Sequence, residues 1–219
     1  MNINIRQATE QDKDFIMTAI IEAEKSGADI TSYGAIFSLS GDAVKTLVSN
    51  ILDEGIEEQE MYIPNFLVAE VDGENAAAVS AWIEGESGMT SNIIKANMLA
   101  YFLNADILEG AVAKLGLMNE VNISREMGAL QLECIYTAEK FRGMGLSGQL
   151  INEHIKRKKA EWLSVDKAQI ILLKNNSSAL MCYEKVGFAI VAEKKCEDEA
   201  ILKVLPCDTK ILMERKLNE

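Results

Sequence analysis

Thr137-Ala138-Glu139-Lys140-Phe141-Arg142-Gly143-Met144-Gly145-Leu146-Ser147-Gly148 is the stretch on which the reading of this chain turns. The residues before it, Leu130-Gln131-Leu132-Glu133-Cys134-Ile135-Tyr136, are β-prone. Those after it repeat apolar side chains (Leu146, Leu150, Ile151, Ile155, Trp162, Leu163) at roughly helical spacing. The stretch is therefore a strand-to-helix turn rich in small residues. At a helix start the free N–H groups and the positive end of the dipole favour an anion. Arg142 adds a permanent charge whose planar fork suits phosphate. On the residues alone two outcomes stay open: a cradle for phosphate or pyrophosphate, or a flexible turn whose glycines bind nothing.

The rest of the chain bounds the function. Its 219 residues, 48% hydrophobic and 26% charged, suffice for one large domain with a sizeable core. No apolar run approaches the roughly 18–20 residues of a membrane span, and the first residues lack the basic start and apolar centre of a signal peptide. Cys134, Cys182, Cys196 and Cys207 show no C-x-x-C spacing and His154 is the only histidine, which argues against a zinc site and against any triad not built on His154. Free thiols in a cytoplasmic protein are the simplest account. Residues 1–125 hold 20 acidic and 7 basic side chains, whereas residues 126–219 hold 14 and 15. A chain this acidic is a poor binder of nucleic-acid phosphates. The asymmetry suggests an anionic ligand on the C-terminal half and a small cationic one on the other, unless the acidic excess serves only solubility.

Working outward, Asn2–Ala8 alternates as a strand and Thr9 with Asp12 marks a helix start. Phe15, Ile16, Ala19, Ile20 and Ala23 form a helix face ending near Gly27. Ala28–Leu39 reads as a loop, and Ser40 or Asp42 caps a second helix stopped near Gly55. Phe66–Val71, the turn Asp72-Gly73 and Ala76–Ile83 form a hairpin. Residues 84–125 read as a helical insertion, with Ser91 capping its first helix and Ile107–Met118 forming the second. It either covers the ligand or forms a dimer surface. After the glycine loop come a helix over Gly145–Leu163, a buried strand at Ala168–Leu173, a helix from Asn176 to Gly187, and strands at Ala189–Lys195 and Thr209–Lys216. The cations Lys156, Arg157, Lys158 and Lys159 read as a solvated helix face.

Gly143-Met144-Gly145-Leu146-Ser147-Gly148 matches G-x-G-x-x-G literally, but a dinucleotide fold begins its glycines at the end of the strand and ends the next strand on an acid. Here five residues intervene, and the next strand ends in Lys174-Asn175-Asn176. Arg142-Gly143-Met144-Gly145-Leu146-Ser147 instead resembles the R/Q-x-x-G-x-G/A loop of the GNAT acetyltransferase superfamily. Asn176-Ser177-Ser178-Ala179-Leu180-Met181-Cys182-Tyr183-Glu184-Lys185-Val186-Gly187-Phe188 resembles that family's N-x-x-A-x-x-x-Y-x-x-x-G-F helix, and Ile5–Asp12 its opening strand and helix start.

The resemblance is close over residues 130–188, which would form the acetyl-CoA-binding core of a single α/β domain. It implies a mixed, largely antiparallel sheet with one splayed parallel pair, flanked by helices. It implies acetyl-CoA, with its pyrophosphate on the amides of Arg142, Gly143, Met144, Gly145, Leu146, Ser147 and Gly148. The pantetheine arm would lie along Ile135, Tyr136 and Thr137, with Asn176 and Ala179 at the cofactor and Tyr183 protonating the leaving thiolate. Acetyl transfer to a primary amine would need a base, for which Glu133 is the first candidate and Glu70 and Glu84 are rivals. No metal is implied. A non-catalytic domain that binds acetyl-CoA as a sensor, and a dinucleotide binder, are the alternatives.

Overall fold

The continuous apolar run at Ala168–Leu173 predicts a strand covered on both faces. The computed structural model, which describes residues 1–162 and 164–217, sets that strand inside a sheet covered on both faces. Leu163, expected at the end of a helix, lies outside the described residues. Seven strands, β1 (Ile3–Gln7), β2 (Phe66–Val71), β3 (Glu74–Ile83), β4 (Leu130–Thr137), β5 (Lys167–Leu173), β6 (Ala189–Lys195) and β7 (Thr209–Lys216), are ordered β1-β2-β3-β4-β5-β7-β6. Every neighbouring pair is antiparallel except β4 and β5.

Helices α1 (Lys13–Lys25), α2 (Ser32–Phe37), α3 (Gly41–Glu54), α4 (Ser91–Phe102) and α5 (Ala105–Glu120) share a core with one face of the sheet. On the other face, α6 (Leu146–Glu161) and α7 (Ser177–Lys185) pack onto Leu67, Val79, Leu130, Leu132, Ile170 and Ile211. Two-sided cover explains why β3 runs buried from Ala76 to Ile83. The architecture is the mixed, mostly antiparallel α/β sheet expected.

Local chemistry sets the element ends. Asp12 accepts from the Thr9 amide at 2.9 Å, from Asn75 at 2.9 Å and from both Nη atoms of Arg6 at 2.7 and 2.8 Å. This knot fixes β1, the start of α1 and the β2–β3 turn to one another. The Ser40 hydroxyl accepts from the Ala43 amide and caps α3. Two expectations fail locally. Residues 28–39 are not all loop: Thr31 accepts from the Gly34 amide and starts α2, a helix that Gly34 disguises in the sequence. Ser91 is not the cap of α4; its amide and hydroxyl donate to the buried Glu84 carboxylate at 3.0 and 2.8 Å.

Candidate active site

The open end of the β4–β5 pair creates the first half of the site. Only Leu130↔Ala168 and Gln131↔Gln169 are in register, so beyond Gln131 the β5 side of β4 loses its partner. Of the last four β4 residues, Ile135, Tyr136 and Thr137 are half-buried, while Cys134, at the bulge, is buried. A bulge precedes the opening. Ala78 pairs with Tyr136 but Ser80 pairs with Glu133, which leaves one extra residue on β4, and Cys134 takes a φ of 51°.

The glycine loop closes the same end. A short 3-10 turn at Glu139–Phe141 separates β4 from Arg142, and Gly143 and Gly145 take φ values of 83° and 71°. A Cβ at either glycine would meet nothing within 4 Å, so it is the backbone conformation and the open space above it that call for glycine here. Gly145 occupies the N-cap of α6, which leaves the first-turn amides of Leu146, Ser147 and Gly148 free. Arg142 is exposed, with its Nε 3.4 Å from the Thr137 carbonyl, and Met144 is half-buried against the core of α6 and α7. Leu146 is a core residue. Gly148 serves packing as well, since a Cβ there would lie 2.9 Å from Val186 Cγ1.

On α7 the Asn176 side-chain oxygen accepts from the Ala179 amide at 3.2 Å and from the Ser178 hydroxyl at 3.1 Å. The cap consumes that oxygen and the Ala179 amide, leaving the Asn176 amide group as the donor available to a ligand. Tyr183 is buried in the cluster that also holds Leu146, with Ile135 and Met144 packed against it. Its hydroxyl has no hydrogen-bond partner among the described residues. Burial pushes its pKa well above the usual phenol value, so it keeps its proton.

The opposite face of the bulge carries a second, polar cluster. Glu133 is ion-paired with Arg125, whose guanidinium lies 5.5 Å from the Trp82 ring centroid and donates to Asn92 at 2.9 Å. Glu60 is 1% exposed and in ionic contact with Lys95, yet neither of its oxygens has a hydrogen bond of good geometry among the described residues. Burial alone would raise its pKa, but Lys95 and Arg125 together outweigh that and hold it ionised. Arg125 Nε and the hydroxyl of Ser80, which sits opposite Glu133 in the β3–β4 register, are likewise buried without partners. Tyr33 from α2, also buried, feels the charges of Glu24, Glu60 and Arg125.

Three solved structures share this architecture over nearly the whole chain. An N-acetyltransferase from Staphylococcus aureus Mu50 aligns with a TM-score of 0.63 at 18% identity, covering 96% of this chain and 99% of its own. An agmatine N-acetyltransferase aligns at 0.59 and 16% identity, covering 99% and 100%. An acetyltransferase of the GNAT family from Streptococcus pneumoniae aligns at 0.54 and 17% identity, covering 99% and 100%. The chain has the GNAT fold. No family model matches it, and no curated protein matches it by sequence.

Within the GNAT fold the rival readings of the residues separate. The literal G-x-G-x-x-G is not a dinucleotide fingerprint, because the sheet around it is antiparallel apart from two register pairs. Glu84 is withdrawn as a base, since Trp82 Nε1 and both donors of Ser91 occupy its carboxylate. Glu70 is withdrawn too: Asn4 and Arg6 bind it on the β1–β2 side, and those hydrogen bonds lower its pKa. His154 is buried on α6 against the Val79 carbonyl at 2.8 Å and joins no triad among the described residues. All four cysteines are free, and no cluster of metal-ligating side chains occurs among the described residues. Lys156 and Arg157 pair with Glu153 and Lys158 with Glu161, as on a solvated face, whereas Lys159 is half-buried and donates to the Leu217 carbonyl.

Glu60, Lys95 and Arg125 are the residues that the motifs missed. Glu60 closes the run Glu57-Glu58-Gln59-Glu60, which reads as solvated acid. Gln59 turns it inward by donating to the Ile56 carbonyl and accepting from the Met61 amide, contacts of 2.8 and 2.6 Å that no sequence pattern marks.

Proposed function

We propose that the protein is an acetyl-CoA-dependent N-acetyltransferase acting on the primary amine of a small molecule. The observation that carries the proposal is the coincidence of the β4–β5 opening with the partner-free glycine loop at the start of α6. The free amides of Gly143 to Gly148 and the Arg142 guanidinium would hold the pyrophosphate. The unpaired edge of Ile135–Thr137 would line the pantetheine arm, and one of its amides would polarise the thioester carbonyl. Acetyl-CoA supplies the acetyl group as an activated thioester.

The acceptor would lie at the bulge. Cys134 and Glu133 both face the α1–α5 side, where Glu24, Glu60 and Glu133 would attract an ammonium group. A neutral amine must attack, so a carboxylate takes its proton, with Glu133 as base and Glu60 holding the amine in line. Tyr183, which keeps its proton, would donate it to the leaving sulfur. The test is calorimetric titration with acetyl-CoA, repeated on Arg142→Ala, together with coenzyme A release over a panel of amines. Micromolar binding weakened about tenfold in the variant is expected, as for loss of a charged hydrogen bond. Absence of acetyl-CoA binding would overturn the proposal, and binding without release from any amine would favour a sensor.

A further inference from the structure

Three elements fix Arg125 before it meets Glu133. The next residue, Glu126, donates its amide to the side-chain oxygen of Gln169 at 3.1 Å, and Gln131 donates to the same oxygen at 2.9 Å. Gln131 and Gln169 are both buried and form the last register pair before β4 and β5 part. The backbone beside Arg125 is thus fastened to the sheet at the start of the opening. Its guanidinium lies over the Trp82 ring of β3, whose Nε1 donates to Glu84 at 3.0 Å. Glu84 also accepts from Ser91, so one buried carboxylate orients both that ring and the first turn of α4. Asn92, on the same turn, accepts from Arg125 Nη1 at 2.9 Å.

The contact that these supports produce is one-sided. A guanidinium facing a carboxylate frequently makes two parallel hydrogen bonds, one to each oxygen. Here Nη2 alone meets Glu133 Oε1, while Nη1 is taken by Asn92 and Nε is buried without a partner. Glu133 Oε2 has no hydrogen-bond or ion-pair partner among the described residues, and the Glu133 side chain stays 21% exposed. Resting on the acetyltransferase reading, we infer that Arg125 is the positioning residue of the acceptor site: it pins Glu133 by Oε1 and leaves Oε2 to take the proton of the amine. Asn92 belongs to the same device, because by holding Nη1 it prevents the fork that would occupy both oxygens. As the N–C bond forms and the C–S bond breaks, the amine's proton passes to Oε2 and the thiolate takes its own from Tyr183. A carboxylate already fixed in one rotamer loses no further freedom in reaching that geometry. Residues 84–125 deliver Asn92 near one end and Arg125 at the other, so the insertion is a wall of the site.

The test uses the full-length protein with acetyl-CoA and, as acceptors, unbranched primary alkylamines and diamines, reading coenzyme A release. Arg125→Met, Arg125→Lys and Asn92→Ala are compared alone and in the Glu133→Gln background, with acetyl-CoA affinity measured by calorimetry for each. Arg125→Met is expected to lower kcat by about tenfold or more, the effect of losing a hydrogen bond to a charged group, with acetyl-CoA affinity and the KM of the amine nearly unchanged. Arg125→Lys should recover part of that loss, since it keeps the charge without the fork. Asn92 is exposed, so Asn92→Ala spares the core and carries the test if Arg125→Met does not fold; about a threefold fall in kcat is expected, roughly half the worth of a hydrogen bond. In Glu133→Gln each change should add less than about twofold, because the placement of a side chain that no longer takes the proton ceases to matter. Unchanged kcat in Asn92→Ala, full additivity with Glu133→Gln, or a loss confined to KM or to acetyl-CoA affinity would each overturn the inference. Failure of the natural protein to bind acetyl-CoA, or to release coenzyme A with any amine, would instead overturn the acetyltransferase reading on which it rests.

Discussion

The Thr137 hydroxyl lies 2.8 Å from the Ser147 hydroxyl, tying the last residue of β4 to the first turn of α6. One side of the tie is the edge that opens beyond Gln131, and the other is the helix start that presents free amides. The two surfaces proposed to hold a single extended ligand are thus fixed to each other by their own side chains. Thr137→Val and Ser147→Ala should each weaken acetyl-CoA binding by about 1 kcal/mol, the worth of one hydrogen bond. Calorimetry on the double variant should show little further loss; strict additivity would mean that the pair is not acting as a unit.

Gly148 offers a test of the helix pair behind the cradle. Alanine normally stabilises a helix interior by about 1 kcal/mol relative to glycine. Here its Cβ would approach Val186 Cγ1 to 2.9 Å, and a β-branched side chain has few rotamers with which to yield. Gly148→Ala should therefore lower stability by about 1 kcal/mol in urea unfolding. Adding Val186→Ala should recover most of that particular loss. A more stable single variant would show that α6 and α7 do not approach this closely.

His154 sets a pH dependence of stability. Burial, partly opposed by the hydrogen bond to Val79, lowers its pKa from 6.5 to about 4. The folded state thus prefers the neutral ring. Its contribution is complete above pH 6.5 and is lost as pH falls from 6.5 toward 4, reaching about 2 kcal/mol of loss near pH 5. Asp12, held well below its usual value first by Arg6, acts in a lower window: its contribution is present above about pH 4 and lost below it. Urea midpoints measured at pH 7 and pH 5 should differ in the natural protein and differ much less in His154→Gln.

Kinetics should divide the proposed chemistry among three side chains. Tyr183→Phe is expected to lower kcat by about tenfold to a hundredfold with acetyl-CoA affinity unchanged. Glu133→Gln should lower kcat, whereas Glu60→Gln should mainly raise KM for the amine. If Glu60→Gln removes turnover at unchanged KM, the base is Glu60 and Glu133 only anchors Arg125.

What could be read in the sequence was whatever the backbone announces locally. The strand from Leu130 to Thr137, the glycines with positive φ at 143 and 145, the Asn176 cap and the Gly187 stop all depend on neighbours in the chain, and all appear where residue type puts them. The α2 helix escaped because Gly34 masks its propensity and its stability comes from the buried Tyr33, Ile36 and Phe37. The partners of the carboxylates escaped for a different reason. Whether Glu60, Glu70, Glu84 or Glu133 is free depends on Lys95, Arg6, Ser91 and Arg125, which meet them only across the fold.

The extra residue in β4 has a consequence for how this strand tolerates change. Because Glu133 and Cys134 face the same side, the odd-even count changes at the bulge: Leu130 and Leu132 share a face with Ile135, and Cys134 shares its face with Tyr136. A point substitution leaves this bend in place, but removing one residue here straightens it. The ladder with β3 would then run unbroken from Leu130 to Thr137, with Ile135, Tyr136 and Thr137 keeping their faces but losing the bend beside which their edge parts from β5. Such a deletion would yield a more regular sheet with a narrower opening. The irregularity is thus the coordinate origin from which the ligand-facing residues are counted, and selection for activity would guard the length of this strand more strictly than its composition.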